Sequence, residues 1–267
     1  MINKTTSWEY KESPNKRIGR KKPCTVLVMH YTAGGNTNQI IKYFQQPDGV
    51  SAHFVVGRDG RVVQMVKLED VAWHAGNSVW KGEKWVNYFS VGIEISNWGP
   101  LKKKGETYYC WPNNYNTILN KEVFEDDSGN FWEAYPSKQI NAVIELCKSI
   151  LEIIPEITLE NVVGHEHISP GRKTDPGPAF PWDKVKKGLT KEVQKEEFVT
   201  KPQTSPHESL EKDNVVTENV IEEKDLSDKD FTEQVKARSG NRKGGGVFLE
   251  LISRIVQIIS KGLNKQK

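Results

Sequence analysis

Two separate stretches of the chain carry side chains of the kinds that bind metal ions. His30 directly follows a short apolar run at residues 26–29. A second such run, residues 161–164, leads into the segment 164–177, which is rich in proline and glycine and holds two histidines and an aspartate. Two histidines and one aspartate would give zinc three protein ligands and leave its fourth position for water or substrate. The pattern therefore predicts a catalytic zinc site rather than a closed structural one.

The apolar runs and periodic segments predict the elements that must hold these residues. Short apolar runs and a turn signal at residues 58–61 predict strands at 26–29, 52–56, 62–66, 90–96 and 161–164. Apolar side chains at helical spacing predict helices at 36–46 and 137–154. Strands mixed with helices indicate an α/β domain, and sites in open α/β sheets commonly form at strand ends.

Composition and charge divide the 267 residues into four parts. Residues 22–189 are predicted to form the folded domain, preceded by an N-terminal arm at 1–21, and within the domain residues 101–135 are predicted to be a surface excursion. Residues 190–245 are mostly polar and charged, which is typical of a disordered linker. The net charge of +3 gives no argument for nucleic acid binding, and three scattered cysteines indicate no disulfide framework.

The end of the chain, residues 246–267, is predicted to be a basic amphipathic helix. At about 100° per residue, the apolar side chains of residues 247–264 fall on one arc and the polar ones on the other. Two uses remain open: the arc docks on the domain or self-associates, or it makes peripheral contact with an anionic membrane. No stretch is long enough to span a bilayer, and no apolar core of a classical export signal is present.

Five motifs in order resemble one enzyme family. They lie at residues 27–32, 51–54, 72–76, 90–94 and 164–177, with weaker similarity at 13–15 and 180–182. Together they resemble the type 2 N-acetylmuramoyl-L-alanine amidases, nearest to the AmpD-like branch, over roughly residues 13–188. Several ordered motifs make chance similarity improbable. The resemblance implies a mixed central β-sheet flanked by helices, followed here by the predicted linker and C-terminal helix.

The resemblance also implies the ligand set of the predicted site. It assigns one zinc ion to His30, His165 and Asp175. His167 departs from the family pattern, in which an acidic residue is commoner at that position. Both histidines of the segment could face the metal if the segment is extended, so His167 remains an alternative ligand. His53, on a strand with apolar neighbours, is predicted to orient other residues instead.

Glu94 and Lys173 match the catalytic positions of the family. Alternation along residues 90–96 lets Glu94 face a cleft while its apolar neighbours pack, so it can take a proton from water and pass one to the leaving amine. Lys173 lies two residues before Asp175, and in an extended segment the two side chains point the same way. A fixed cation there would stabilise the oxyanion formed when an amide is attacked.

The activity implied is hydrolysis of the amide bond between N-acetylmuramic acid and L-alanine, in peptidoglycan or in muropeptides. Trp73, His74 and Arg172 are predicted to contact this substrate, the first two as a wall and the third by pairing with a carboxylate. The alternative is a protein of the same fold that binds peptidoglycan without cutting it. A secreted or periplasmic location is predicted, with the cytoplasm as the alternative.

Overall fold

The computed structural model describes residues 8–110, 117–118 and 122–190. The predicted linker after residue 190 and the predicted helix at 246–267 lie outside these residues, so both stay predictions. Among the described residues, no helix is long and apolar enough to cross a bilayer.

The strands, in chain order, are β1 (Glu9–Tyr10), β2 (Lys16–Arg17), β3 (Val26–Tyr31), β4 (Phe54–Val56), β5 (Val62–Gln64), β6 (Val71–Ala72), β7 (Val79–Trp80), β8 (Glu83–Lys84), β9 (Ser90–Ile95), β10 (Pro100–Lys104), β11 (Thr107–Cys110), β12 (Thr117–Ile118), β13 (Val123–Glu125), β14 (Phe131–Glu133) and β15 (Val162–Gly164). The α-helices are α1 (Thr37–Phe44), α2 (Ser137–Ile153), α3 (His165–Ile168) and α4 (Trp182–Thr190).

A mixed sheet forms the centre of the domain, in the order β1-β5-β4-β9-β3-β15. Strand β3 pairs in parallel with β9 and β15, whereas β4 and β5 form the predicted antiparallel hairpin. The predicted α/β class with a mixed central sheet flanked by helices is therefore confirmed. Strand β3 runs two residues beyond its predicted end, so His30 lies inside the last part of the strand.

Side chains alternate across β3, and the two faces of the sheet are covered differently. Leu27 and Met29 pack against α2 and α4 on one face. Val26 and Val28 point to the other face, where the segments around Ala75 and Ile168 cover them. Since side chains two apart share a face, His30 belongs to this second face, opposite α2. The predicted helices at 36–46 and 137–154 are confirmed as α1 and α2.

Residues 101–135, predicted to be a surface excursion, contain regular structure that was not predicted. The described residues of this segment contribute to an antiparallel sheet in the order β12-β11-β10-β14-β13. The sheet has a small core of its own, formed by Trp98, Leu101, Tyr108, Cys110 and Ile118. Glu133 attaches it to the central domain, since its carboxylate pairs with Arg58 at 2.5 Å and accepts from the Trp98 amide at 2.6 Å. Part of the predicted N-terminal arm also pairs with the domain, as β1 and β2.

His53, which was predicted to orient other residues, is fully buried. Its Nδ1 accepts from the Gly92 amide at 3.0 Å, and its Nε2 lies 2.7 Å from Arg20 Nη2. Burial and, secondly, the charge of Arg20 lower the pKa of the ring to about 3. The folded protein therefore holds His53 neutral under conditions in which an unfolded chain protonates it.

We expect this depressed pKa to destabilise the metal-free protein in mild acid. Below about pH 6.5 the unfolded chain binds a proton at residue 53 that the folded chain does not, so the free energy of unfolding falls as the pH falls. By about pH 5 this residue alone should remove about 2 kcal/mol. Urea unfolding of His53→Gln between pH 7 and 5 should show a shallower loss than the wild type. In the control His167→Gln, burial lowers the pKa of the replaced, more exposed ring to a smaller extent, so its loss should stay closer to that of the wild type. An equal slope in all three proteins would contradict the assignment.

Candidate metal centre and active site

Three buried side chains meet at the carboxyl ends of neighbouring parallel strands. His30 comes from β3, His165 follows β15 directly as the first residue of α3, and Asp175 comes from the loop after α3. His30 Nδ1 lies 2.9 Å from His165 Nδ1 and 2.9 Å from Asp175 Oδ2, and His165 Nδ1 lies 3.0 Å from Asp175 Oδ2. Among the described residues, these three side chains form the group that could hold a metal ion.

The loop that carries Asp175 is fixed on three sides. The Asp175 carbonyl accepts from the Glu166 amide at 2.9 Å, and the Tyr135 hydroxyl donates to the Pro176 carbonyl at 2.8 Å. Gly164 permits the loop to pass close to β15, because a Cβ at that position would lie 2.6 Å from the Pro176 ring. The carboxylate is thus held against the two rings by backbone contacts rather than by its own side chain alone.

The hydrogen bond behind the His165 ring indicates which of its nitrogens carries the proton. His165 Nε2 lies 3.0 Å from the Ala75 carbonyl oxygen, which can only accept, so Nε2 is the protonated nitrogen. In the neutral ring, Nδ1 then presents a lone pair to the centre of the group. Metal-binding histidines are oriented in this way by an acceptor behind the ring.

The charge states also fit a cation. Burial, then the charge of His165, lowers the pKa of the His30 ring to about 4, so it is neutral at physiological pH. Burial alone would raise the pKa of the Asp175 carboxyl, but the His165 and His30 rings beside it hold that pKa well below its usual range. One carboxylate oxygen and two ring nitrogens within about 3 Å of each other form a donor set that a divalent metal satisfies.

Glu94 lies beside this group, as the register of the sheet requires. It is the direct partner of His30 across β3 and β9. Its side chain is half-buried, and Oε2 is a buried oxygen with no hydrogen-bond partner among the described residues. Burial and, secondly, the negative charge of Asp175 raise the pKa of Glu94 well above its usual value, against the opposing charge of Lys173. A carboxylate of this kind is a ready proton acceptor.

Lys173 and Arg172 come from the same loop but are used differently. The positive charge of the half-exposed Lys173 side chain acts on both Glu94 and His30 and lowers the pKa of each. Arg172 is exposed, and its Nη2 donates to the Ala75 and Asn77 carbonyls at 2.9 and 2.8 Å and to Ser169 Oγ at 2.6 Å. The guanidinium therefore joins the loop to residues 75–77, a use that its predicted pairing with a substrate carboxylate did not include.

Trp73 and His74, the two residues of the predicted wall, differ in exposure. Trp73 is half-exposed and meets the ring of Tyr88 edge-on at 6.0 Å. His74 is buried, with only 8% of its surface exposed, and its Nδ1 lies 2.9 Å from His30 Nε2. This position behind His30 leaves little of the ring exposed, and the predicted substrate contacts of Trp73 and His74 stay predictions.

His167, the alternative to His165, faces away from the group. Its Nδ1 accepts from the Gly164 amide at 2.8 Å, and its ring lies 5.7 Å from that of Trp182. The first turn of α3 causes this separation. On a helix, side chains two positions apart in the chain are rotated by about 200° from each other, whereas in an extended segment they point the same way.

Much of the chain matches a known protein family. Residues 20–178 match the family described as N-acetylmuramoyl-L-alanine amidase. The chain belongs to this family. Its relatives include the N-acetylmuramoyl-L-alanine amidase AmiD of Escherichia coli (strain K12), with 34% identity over 60% of this chain and 51% of that protein. The 1,6-anhydro-N-acetylmuramyl-L-alanine amidase AmpD of the same strain is 32% identical over 54% of this chain and 61% of that protein.

A solved structure extends the comparison to the fold of the amidase family. A crystal structure of an AmpD derivative covers 69% of this chain and 96% of its own, with a TM-score of 0.51 and 25% identity. The chain spans only about half to three fifths of the length of the relatives AmiD and AmpD. The predicted family is confirmed, and the activity of the whole protein is argued below as a proposal.

Proposed function

We propose that the chain is a zinc-dependent N-acetylmuramoyl-L-alanine amidase that hydrolyses the bond between N-acetylmuramic acid and L-alanine in peptidoglycan or muropeptides. The supporting observation is the buried group of His30, His165 and Asp175, in which two ring nitrogens and one carboxylate oxygen converge within about 3 Å. One bound zinc ion would polarise the scissile carbonyl and make water a nucleophile near neutral pH.

Glu94 is the proton carrier in this proposal. Water adds to the amide carbon, and Glu94 accepts the proton that the water gives up. As the C–N bond breaks, Glu94 returns that proton to the leaving nitrogen, which becomes the amine of L-alanine. The unpartnered, buried Oε2 supports this role, because a carboxylate with a raised pKa is a stronger base and then a suitable acid. Lys173 supplies positive charge for the oxygen that becomes negative during the attack.

The alternative, binding of peptidoglycan without cleavage, is less well supported. A protein that only binds needs neither the metal group nor the proton carrier. Here the three candidate metal ligands are present together with Glu94 and Lys173, and the register of β3 and β9 brings Glu94 next to His30. A complete set of candidate catalytic groups favours hydrolysis over binding alone.

The proposal is tested by product analysis with the full chain. We expect it to release free stem peptides with an N-terminal L-alanine from purified peptidoglycan or from defined muropeptides, as identified by mass spectrometry. A chelator should stop the release and added Zn²⁺ should restore it, because the three candidate ligands leave the reacting position to the metal. Substrates with and without the 1,6-anhydro sugar would determine the preference. Binding without release would establish the non-catalytic alternative, and release unaffected by the chelator would contradict the metal.

The charged segments after the folded domain bear on where the enzyme is located. We infer a secreted or periplasmic enzyme, since a long charged segment at 190–245 and a basic segment at 246–267 suit a protein that faces the cell envelope. Fractionation of cells that express the full chain measures this directly, and recovery in the cytoplasm would contradict it.

A further inference from the structure

A row of hydrogen bonds leads from the backbone below β9 to the back of His30. Ser90 Oγ lies 2.7 Å from the Val86 carbonyl oxygen, and His74 Nε2 lies 3.1 Å from Ser90 Oγ. His74 Nδ1 in turn lies 2.9 Å from His30 Nε2. All of these side chains are buried, so each bond forms away from water.

The direction of every proton in this row follows from its first member. A carbonyl only accepts, so the single hydroxyl proton of Ser90 points to Val86, and Ser90 can only accept from His74. His74 therefore carries its proton on Nε2, and its Nδ1 is a bare acceptor. His30 must then donate from Nε2 to His74, which leaves His30 Nδ1 without a proton and facing Asp175 and His165.

The ring of His74 has little freedom to leave this position. A Cβ on Gly92 would lie 2.5 Å from its Cγ, so β9 carries a glycine where the ring rests on the strand. The amides of His74 and Ala75 both donate to Asn87 Oδ1, at 3.0 and 2.7 Å. The backbone on which the ring is mounted is thus fixed as well.

Two adjacent residues supply the acceptors for both candidate histidine ligands. The His74 ring accepts from His30, and the carbonyl of the next residue, Ala75, accepts from His165. A neutral imidazole has two tautomers, and only the one with a bare Nδ1 can bind a metal at this centre.

We propose that His74 and Ser90 are positioning residues that hold His30 in the tautomer required for metal binding. This inference rests on the proposed function, because it assumes that a metal occupies the group. His74 touches neither the metal position nor the substrate cleft in this role. Its effect is exerted through the bond that it accepts from His30.

Two nearly isosteric variants separate the accepted hydrogen bond from the bulk of the ring. In His74→Asn the amide oxygen can replace Nδ1 as an acceptor, whereas His74→Leu has the same branched shape and accepts nothing. Using the full chain and Zn²⁺ alone, with a competing chelator, we expect the leucine variant to bind zinc about 10–100-fold more weakly than the wild type. The asparagine variant should stay close to the wild type.

Nitrogen NMR of the imidazoles gives a readout that a purely structural role would not change. In the metal-free protein near pH 7.5, His30 should carry its proton on Nε2 in the wild type and in His74→Asn. In His74→Leu it should be a mixture of tautomers. Equal zinc affinity and equal His30 tautomers in the two variants would overturn the proposal, as would an equal loss in both. A wild-type chain that binds no zinc would instead refute the proposed function.

Should both variants at position 74 fail to fold, Ser90→Ala tests the same row one step further from the metal. Without the Ser90 acceptor, His74 is free to change tautomer, so zinc should bind more weakly and the His30 tautomers should mix. The matched control is Ser96→Ala, a buried serine just past the end of β9 whose Oγ lies 3.1 Å from Thr37 Oγ1. Wild-type zinc affinity in Ser90→Ala, or the same loss in both serine variants, would contradict a positioning role for this row of hydrogen bonds.

Discussion

Replacement of Asp175 by asparagine is expected to abolish zinc binding and amide hydrolysis together. Asp175 Oδ2 lies within 3.0 Å of both His30 Nδ1 and His165 Nδ1, and it brings the only negative charge of the three candidate ligands. An amide oxygen is neutral and a far weaker zinc ligand than a carboxylate, so the variant keeps the shape of the site and loses most of its affinity. Zinc content per chain after dialysis should fall from about one to near zero.

The matched control is Asp183→Asn, since Asp183 is an exposed residue on α4. It should keep both the metal and the activity. Full zinc occupancy in Asp175→Asn would remove this residue from the ligand set. Loss of activity with full occupancy would show that the carboxylate acts in the chemistry instead.

The two candidate histidine ligands could be predicted from the sequence because each stands at the end of an apolar run, whereas Asp175 was implied by the family resemblance. Apolar runs before His30 and before His165 indicate buried strands, and the carboxyl ends of parallel strands meet at one edge of a sheet. The same reasoning favoured His165, which follows the strand directly, but it left His167 as an alternative. The single turn of α3 decides between them, and a segment punctuated by glycine and proline predicts a loop rather than a helical turn.

The position of His74 shows where residue patterns stop being informative. A histidine next to a tryptophan has the composition of a binding surface, and the ring is nevertheless buried behind His30. What places it there is the absence of a side chain on Gly92 and the carbonyl of Val86, which orients Ser90. Main-chain carbonyls carry no signal in a sequence, so neither the acceptor behind His165 nor the start of the row behind His30 could be predicted.

The second sheet was missed for a related reason. Its strands contain lysines and tyrosines between the apolar residues, which is typical of a surface segment. Packing between Leu101, Tyr108 and Phe131 stabilises it, together with the buried ion pair of Arg58 and Glu133. These contacts are long-range, and β-propensity is weak compared with such packing.

Glu94→Gln is expected to lower the rate of amide hydrolysis by about 10²–10⁴-fold, because the amide cannot carry the proton. Zinc content should remain at the wild-type level, since Glu94 lies beside the candidate ligands rather than among them. Lys173→Ala should likewise keep zinc and lose rate, through the lost stabilisation of the oxyanion. Initial rates on a defined muropeptide, measured alongside metal content, separate these effects from loss of the metal. Glu69→Gln, at an exposed carboxylate, is the control and should be fully active.

Stability provides an independent check on Glu94, because its replacement should lower the rate of hydrolysis but raise the stability of the folded protein. The pKa of Glu94 is raised in the folded protein, chiefly by burial and then by Asp175, so the folded chain binds its proton more tightly than the unfolded chain. Above the unfolded value of about 4.5, stability therefore falls as the pH rises, and this loss is present at neutral pH.

Metal-free Glu94→Gln has no carboxylate to bury and should unfold at a higher temperature than the wild type near pH 8. A variant that is less active and more stable is what a strained catalytic group produces. Wild-type activity, or a lower unfolding temperature at that pH, would contradict the assignment of Glu94 as the buried proton carrier.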